Sequence, residues 1–130
     1  MVKQNLTKQL YVGVDVGGTK IQASLIREDG TIIASLRCPT PHQAAPDQIL
    51  TTIEKAVRKV LKKGKVEASS LAAFGIAVPG VVDPKKGKVI VTPNMNFSGA
   101  KVVKYLEDKF PVQVVLGNDC NLGTLGEAWL

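Results

Sequence analysis

Apolar positions along the chain fall into two rhythms. Leu10 to Val16 is a nearly continuous apolar run, and residues 20–27 alternate, with Ile21, Ala23 and Leu25 on one face. Between them lies Gly17-Gly18-Thr19. Glu28-Asp29-Gly30 then reads as a hairpin turn and residues 31–38 as a third strand. After a proline-marked loop the period changes. Ile49, Leu50, Ile53, Ala56, Val57, Val60 and Leu61 form one helical stripe, predicting a helix over 47–63 with Gly64 just beyond its end.

The apolar block over 71–78 suits a strand buried on both faces. It ends at Pro79-Gly80. Short strands over 81–83 and 88–91 flank a Pro84-Lys85-Lys86-Gly87 reversal, where Asp83 initiates the turn. Thr92 to Asn96 reads as a loop. Ser98 is placed as the N-cap of a helix reaching Lys109, with Val102, Val103 and Leu106 inward. A strand over 112–116 and a closing helix over 120–130 follow. The order β-β-β-α-β-(ββ)-α-β-α predicts an α/β domain: an antiparallel three-stranded meander extended into a mixed sheet by crossover helices. Residues 1–9 read as a polar tail and 10–130 as the domain. Leu130 falls inside a helical pattern without a cap, so the chain is expected to be part of a longer protein.

Composition narrows the function classes. The 130 residues are 45% hydrophobic, enough for a folded core, and no apolar run approaches the ~20 residues of a membrane helix. A polar N-terminus without a signal core predicts a cytoplasmic protein with no membrane partner. The net charge of +6 raises the question of nucleic acid. Its two dense knots, however, lie at a helix end (Arg58, Lys59, Lys62, Lys63, Lys65) and in a turn (Lys85, Lys86, Lys88), and aromatics are only 5%. A solvated basic face is expected and no nucleic-acid partner. Cys38 and Cys120 have no metal spacing and read as reduced thiols; His42, the single histidine, reads as a loop residue.

Candidate chemistry collects at strand ends. Asp15 interrupts an apolar strand, where a buried carboxylate is costly unless paired. An acid beside a glycine turn is what a metal–nucleotide site uses. A Gly-Gly pair between strands is equally a two-residue hairpin turn with positive φ at both positions, and this stretch alone leaves both readings open. Three turns follow strands: Gly17-Gly18-Thr19, Pro79-Gly80 and Gly117-Asn118-Asp119; Pro93-Asn94 is a fourth candidate. Asp119 reads as a helix N-cap or as a general base, two compatible roles, and Asn118 suits adjacent sugar hydroxyls.

Together these stretches resemble a known family. Val14-Asp15-Val16-Gly17-Gly18-Thr19-Lys20 resembles the first phosphate motif of the ROK family of bacterial sugar kinases (repressor, open reading frame, kinase). The segment from Gly75 to Asp83, the Pro93-Asn94 loop and Gly117-Asn118-Asp119-Cys120-Asn121 followed by Gly123-Thr124-Leu125-Gly126-Glu127 are similar to its sugar and catalytic segments, in the same order. The resemblance implies a ribonuclease-H-like domain of the actin/hexokinase type, the N-terminal one of two. It implies Asp15 facing Mg²⁺ through water, with Gly17, Gly18, Thr19 and Lys20 at the phosphates of ATP. It implies Gly80, Asn94, Asn118 and Asp119 along a hexose, with Asp119 the base that activates its hydroxyl. Glucokinase is the expected activity, glucose the expected substrate and a homo-oligomer the expected assembly. The family's zinc segment, its second phosphate motif and its adenosine pocket would lie in the other domain, leaving no zinc ligand here and an inactive fragment. Asp15 starts too early for a preceding helix-turn-helix, which favours a kinase over a regulator. A non-catalytic sugar sensor on the same fold is the alternative.

Overall fold

The computed structural model describes residues 9–41 and 44–118. His42, Asp119, Cys120 and the predicted closing helix lie outside them. Strands β1 (Leu10–Val16), β2 (Lys20–Arg27) and β3 (Ile32–Pro39) are followed by helix α1 (Pro46–Gly64), a 3₁₀ turn (Ala68–Ser70) and strand β4 (Leu71–Val78). Strands β5 (Val81–Asp83) and β6 (Lys88–Val91), helix α2 (Val102–Lys109) and strand β7 (Val114–Asn118) complete the described chain.

The main sheet runs β3-β2-β1-β4-β7, with β5 and β6 as a separate hairpin. The first two pairings are antiparallel and the last two parallel, so the sheet is mixed, as the element order predicts. The parallel strands β1, β4 and β7 end at the same edge. Asp15 stands opposite Ala77, and Val78 opposite Asn118. Asp15 and Asn118, at the ends of β1 and β7, are therefore delivered to one edge of the sheet.

The core forms where strand and helix periods meet. Val12, Val14 and Val16 share a buried face with Ile21, Ala23 and Leu25, and α1 packs over β2 and β3. Its seven buried residues are the seven of the predicted stripe. Burying one such aliphatic side chain contributes about 1.5–3 kcal/mol. The exposed i,i+4 pair Arg58–Glu54 at 2.9 Å, worth only a few tenths of a kcal/mol, is therefore secondary to the stripe. α1 opens with Pro46 in its first turn, and the Gln48 side chain accepts from the Ala45 N–H at 2.8 Å.

The end of α1 differs from the expectation. Gly64 is the last helical residue and Lys65 takes the left-handed turn at φ 59°; the Val66 N–H donates to Leu61 O and the Lys65 N–H to Lys62 O. A Cβ at residue 64 would overlap the tip of the buried Leu25 side chain, which would have to shift.

Two further boundaries are corrected. Ser98 caps no helix: α2 starts at Val102, preceded by Lys101. Gly99 turns left-handed at φ 82°, and Gly99 N–H donates to Val89 O at 2.8 Å while Val89 N–H donates to Ala100 O at 3.0 Å. The segment 98–100 is thus committed to β6 and cannot enter a helix. The last strand begins at Val114, not 112, because Pro111 and Val112 form a tight turn closed by Val112 N–H to Phe110 O at 2.8 Å. Gly117 and Asn118 lie inside β7 instead of in a turn beyond it.

Candidate functional site

Asp15 is the last outward-facing residue of β1. Strand alternation buries its neighbours Val14 and Val16 and turns Asp15 to the opposite, solvent-exposed side. The expectation of a buried carboxylate is therefore corrected: the apolar run hides only every second residue, so Asp15 carries no burial penalty.

The loop after β1 is not a two-residue hairpin turn with positive φ. Neither Gly17 nor Gly18 adopts the left-handed region. The Gly17 N–H donates to Lys20 O at 2.8 Å, and a Cβ on Gly17 would sit 3.1 Å from that same oxygen. Gly17 is small because the chain doubles back upon it. Gly18 is different: its Cβ position meets only the Asn94 carbonyl oxygen, at 3.8 Å. Among the described residues, no main-chain carbonyl accepts from the Gly18 or Thr19 N–H. Thr19 and Lys20 are exposed. The loop thus offers bare backbone at its tip and a carboxylate at its base.

The second wall comes from the exit of β4. Gly80 holds φ 98°, and a Cβ there would overlap the Val91 carbonyl oxygen and lie 3.0 Å from Thr92 Cα. Only glycine lets the chain leaving β4 run this close to the end of β6. The following loop is folded by its own polar groups. Thr92, 7% exposed, donates through Oγ1 to Met95 O at 3.0 Å, Asn94 takes φ 58°, and Asn96 Nδ2 donates to Ala44 O at 3.2 Å. Asparagine tolerates that backbone better than most residues. Asn94 is exposed beside Gly18.

Asn118 closes β7, half-buried and in register with Val78 two residues before Gly80. The structure therefore brings Asp15, Gly17, Gly18, Thr19, Lys20, Gly80, Asn94 and Asn118 to one edge. Asp119 follows Asn118 in the chain but lies outside the described residues. The edge is open. Three concavities of about 420, 400 and 530 Å³ lie elsewhere, behind the Pro84–Gly87 turn, between the starts of α1 and α2, and beside the end of α1.

The donor set suits some ligands better than others. A single exposed carboxylate reaching a cation through water matches magnesium, which keeps most of its waters. Zinc needs three or four nitrogen or sulfur ligands, and no cluster of three His, Cys, Asp or Glu able to hold a metal occurs among the described residues. Cys38 is a free, half-buried thiol.

Away from this edge, two side chains hold each other's ionisation off its ordinary value. Tyr105 Oη donates to Glu54 Oε1 at 2.7 Å, which holds the Glu54 carboxyl below its ordinary value and raises the Tyr105 hydroxyl. Arg58 joins the same carboxylate and lies 4.7 Å over the Phe110 ring. This cluster ties α1 to α2 and is structural. Asp83 accepts from the Lys85 and Lys86 N–H groups at 3.1 and 3.2 Å, the predicted turn-initiating role. The basic knot of α1 is exposed along the helix.

Sequence reasoning missed Thr40. It is 1% exposed, its Oγ1 donates to Gly17 O at 2.7 Å and its N–H donates to Thr19 O at 2.9 Å. Nothing in local sequence marks it. Only the β2–β3 register, which pairs Lys20 with Pro39, places residue 40 beside the glycine loop.

A meander extended by two parallel strands, with its polar residues at their carboxyl edge, defines an actin/hexokinase-type domain, the fold of the sugar kinases it resembles in structure. The chain belongs to the ROK family, whose pattern matches residues 11–130. It is 31% identical over 124 residues to a glucokinase of Halalkalibacterium halodurans, covering 95% of this chain and 38% of that protein. The crystal structure of a ROK family glucokinase from Streptomyces griseus, in complex with glucose and AMPPNP, superposes with a TM-score of 0.74 at 33% identity, covering 86% of this chain and 34% of that one. A putative xylose repressor of Caldicellulosiruptor is 26% identical over 129 residues, 99% of this chain and 32% of the repressor. The chain thus spans about a third of the length of these relatives. No helix among the described residues is long and apolar enough to cross a membrane.

Proposed function

We propose that the protein carrying this chain transfers a phosphoryl group from ATP to a hydroxyl of a hexose, glucose first among candidates, and that this chain forms the N-terminal wall of the cleft. The observation that carries the reading is the meeting of Gly18 with the Asn94 loop, at a Cβ-to-carbonyl distance of 3.8 Å. A loop with bare backbone N–H groups and a loop of exposed amide side chains lie side by side, as a phosphate end and a sugar end must.

In this reading Gly17, Gly18, Thr19 and Lys20 receive the phosphates and Asp15 holds Mg²⁺ through water. The metal, when bound, offsets charge on the phosphates. Gly80 shapes the sugar wall, Asn94 and Asn118 bind hydroxyls, and Asp119 accepts the proton of the attacking hydroxyl. A carboxylate at a strand end is suited to that transfer, since a sugar hydroxyl needs its proton removed only as the new bond forms. The opposite wall, with the rest of the nucleotide site, belongs to the remainder of the protein, so residues 1–130 alone are inactive.

The similarity to a putative xylose repressor supports a second reading, a sugar-sensing protein on the same fold. A coupled ATP assay on the full-length protein across glucose, mannose, N-acetylglucosamine and xylose separates the two. Sugar-dependent ADP release establishes the kinase. Sugar binding by calorimetry with no ADP release on any of them establishes the sensor.

A further inference from the structure

Gly17 is held through both of its own backbone polar groups. The Gly17 N–H donates to Lys20 O at 2.8 Å and the Gly17 carbonyl accepts from Thr40 Oγ1 at 2.7 Å. Thr40 is 23 residues away in sequence, buried to 1% exposure just after edge strand β3, and its own N–H adds a 2.9 Å bond to Thr19 O. In a trans peptide the C=O and the following N–H point in opposite directions. The described residues contain no cis peptide. With the Gly17 C=O drawn towards Thr40, the Gly18 N–H must point away from it, off the body of the sheet.

We infer that Thr40 is a positioning residue for the phosphate loop: its hydroxyl sets the Gly17–Gly18 peptide so that the Gly18 N–H is presented to a phosphate oxygen of the nucleotide. The inference rests on the loop's proposed role in binding ATP. Thr40 touches no substrate. Glycines leave the loop with many accessible backbone states, and a loop that must meet a phosphate needs one of them. Gly17 and Gly18 have no side chain of their own to fix that state. A buried hydroxyl from another strand provides the restraint and leaves the tip bare.

The test is steady-state kinetics on the full-length protein with Thr40→Val and Thr40→Ser, alongside thermal melting. Valine keeps the volume and removes the donor; serine keeps the donor. Thr40→Val is expected to raise KM for MgATP by about five- to tenfold, the worth of one such hydrogen bond, while KM for the sugar stays within about twofold of wild type. Thr40→Ser is expected to restore the ATP value. An unchanged KM for MgATP in Thr40→Val overturns the inference. So does a parallel loss on both substrates that follows a fall in melting temperature, which marks a merely structural role. If the valine protein is not recovered folded, Thr40→Ala removes the same donor and is held to the same outcomes. An active wild type with a kinetically normal Thr40→Val sinks the Thr40 inference alone; a wild type that binds sugar and releases no ADP sinks the proposed function and this inference together.

Discussion

Gly80 and Val91 meet so closely that a Cβ on Gly80 would overlap the Val91 carbonyl oxygen, and Gly80 holds φ 98° to make the approach. This contact joins the exit of β4 to the loop that carries Asn94. Gly80→Ala faces both the strained backbone and the overlap, so it is expected to destabilise the fold by about 2–3 kcal/mol. Urea denaturation measures it. If the Asn94 loop lines the sugar, as proposed, the same substitution raises KM for the sugar more than KM for ATP.

The Tyr105–Glu54 hydrogen bond should be visible in the pH dependence of stability. The Glu54 carboxyl is held below its ordinary value, first by the Tyr105 hydroxyl. Its contribution is therefore fully present above the unfolded-state value of roughly 4.3 and is lost as pH falls through the lower folded-state value. The Tyr105 hydroxyl is raised, first by Glu54, so its contribution holds below roughly pH 10 and is lost as pH rises through the higher folded-state value. Tyr105→Phe is expected to cost about 1 kcal/mol between these limits and less beyond them, read from denaturation midpoints against pH.

Asp15 should matter more to catalysis than to folding. It is exposed on β1, with buried Val14 and Val16 on either side carrying the packing. Asp15→Asn removes the charge that would face Mg²⁺ and changes no core contact. The expected result is a kcat lowered by about tenfold or more, a far larger effect than any change in denaturation midpoint. A shifted midpoint with normal kcat would make Asp15 a structural residue.

Much of the fold was legible because two periods suffice to describe it. The α1 stripe, from Ile49 to Leu61, was read residue for residue, since a helix against a sheet must bury one continuous face. The misreadings came where a tertiary partner outbid a local signal. Ser98 has the chemistry of a cap, yet Gly99 and Ala100 are bonded to Val89. Gly64 looked like a helix stop, yet the helix includes it, close against the Leu25 side chain. The alternation of β1, with Asp15 opposite Gln22, turns its carboxylate outward, where an apolar run had implied burial. At the candidate site the glycines and asparagines were visible as turn residues. Thr40 was not, because its role exists only once β3 lies beside β2.

If Asp119 is the base that takes the proton of the sugar hydroxyl, Asp119→Asn in the full-length protein removes it. With sugar affinity measured in parallel by calorimetry, the substitution is predicted to cut kcat by about 10² or more while sugar binding persists. A near-normal kcat would contradict the account and leave Asp119 as a helix cap beside a site that works by some other group.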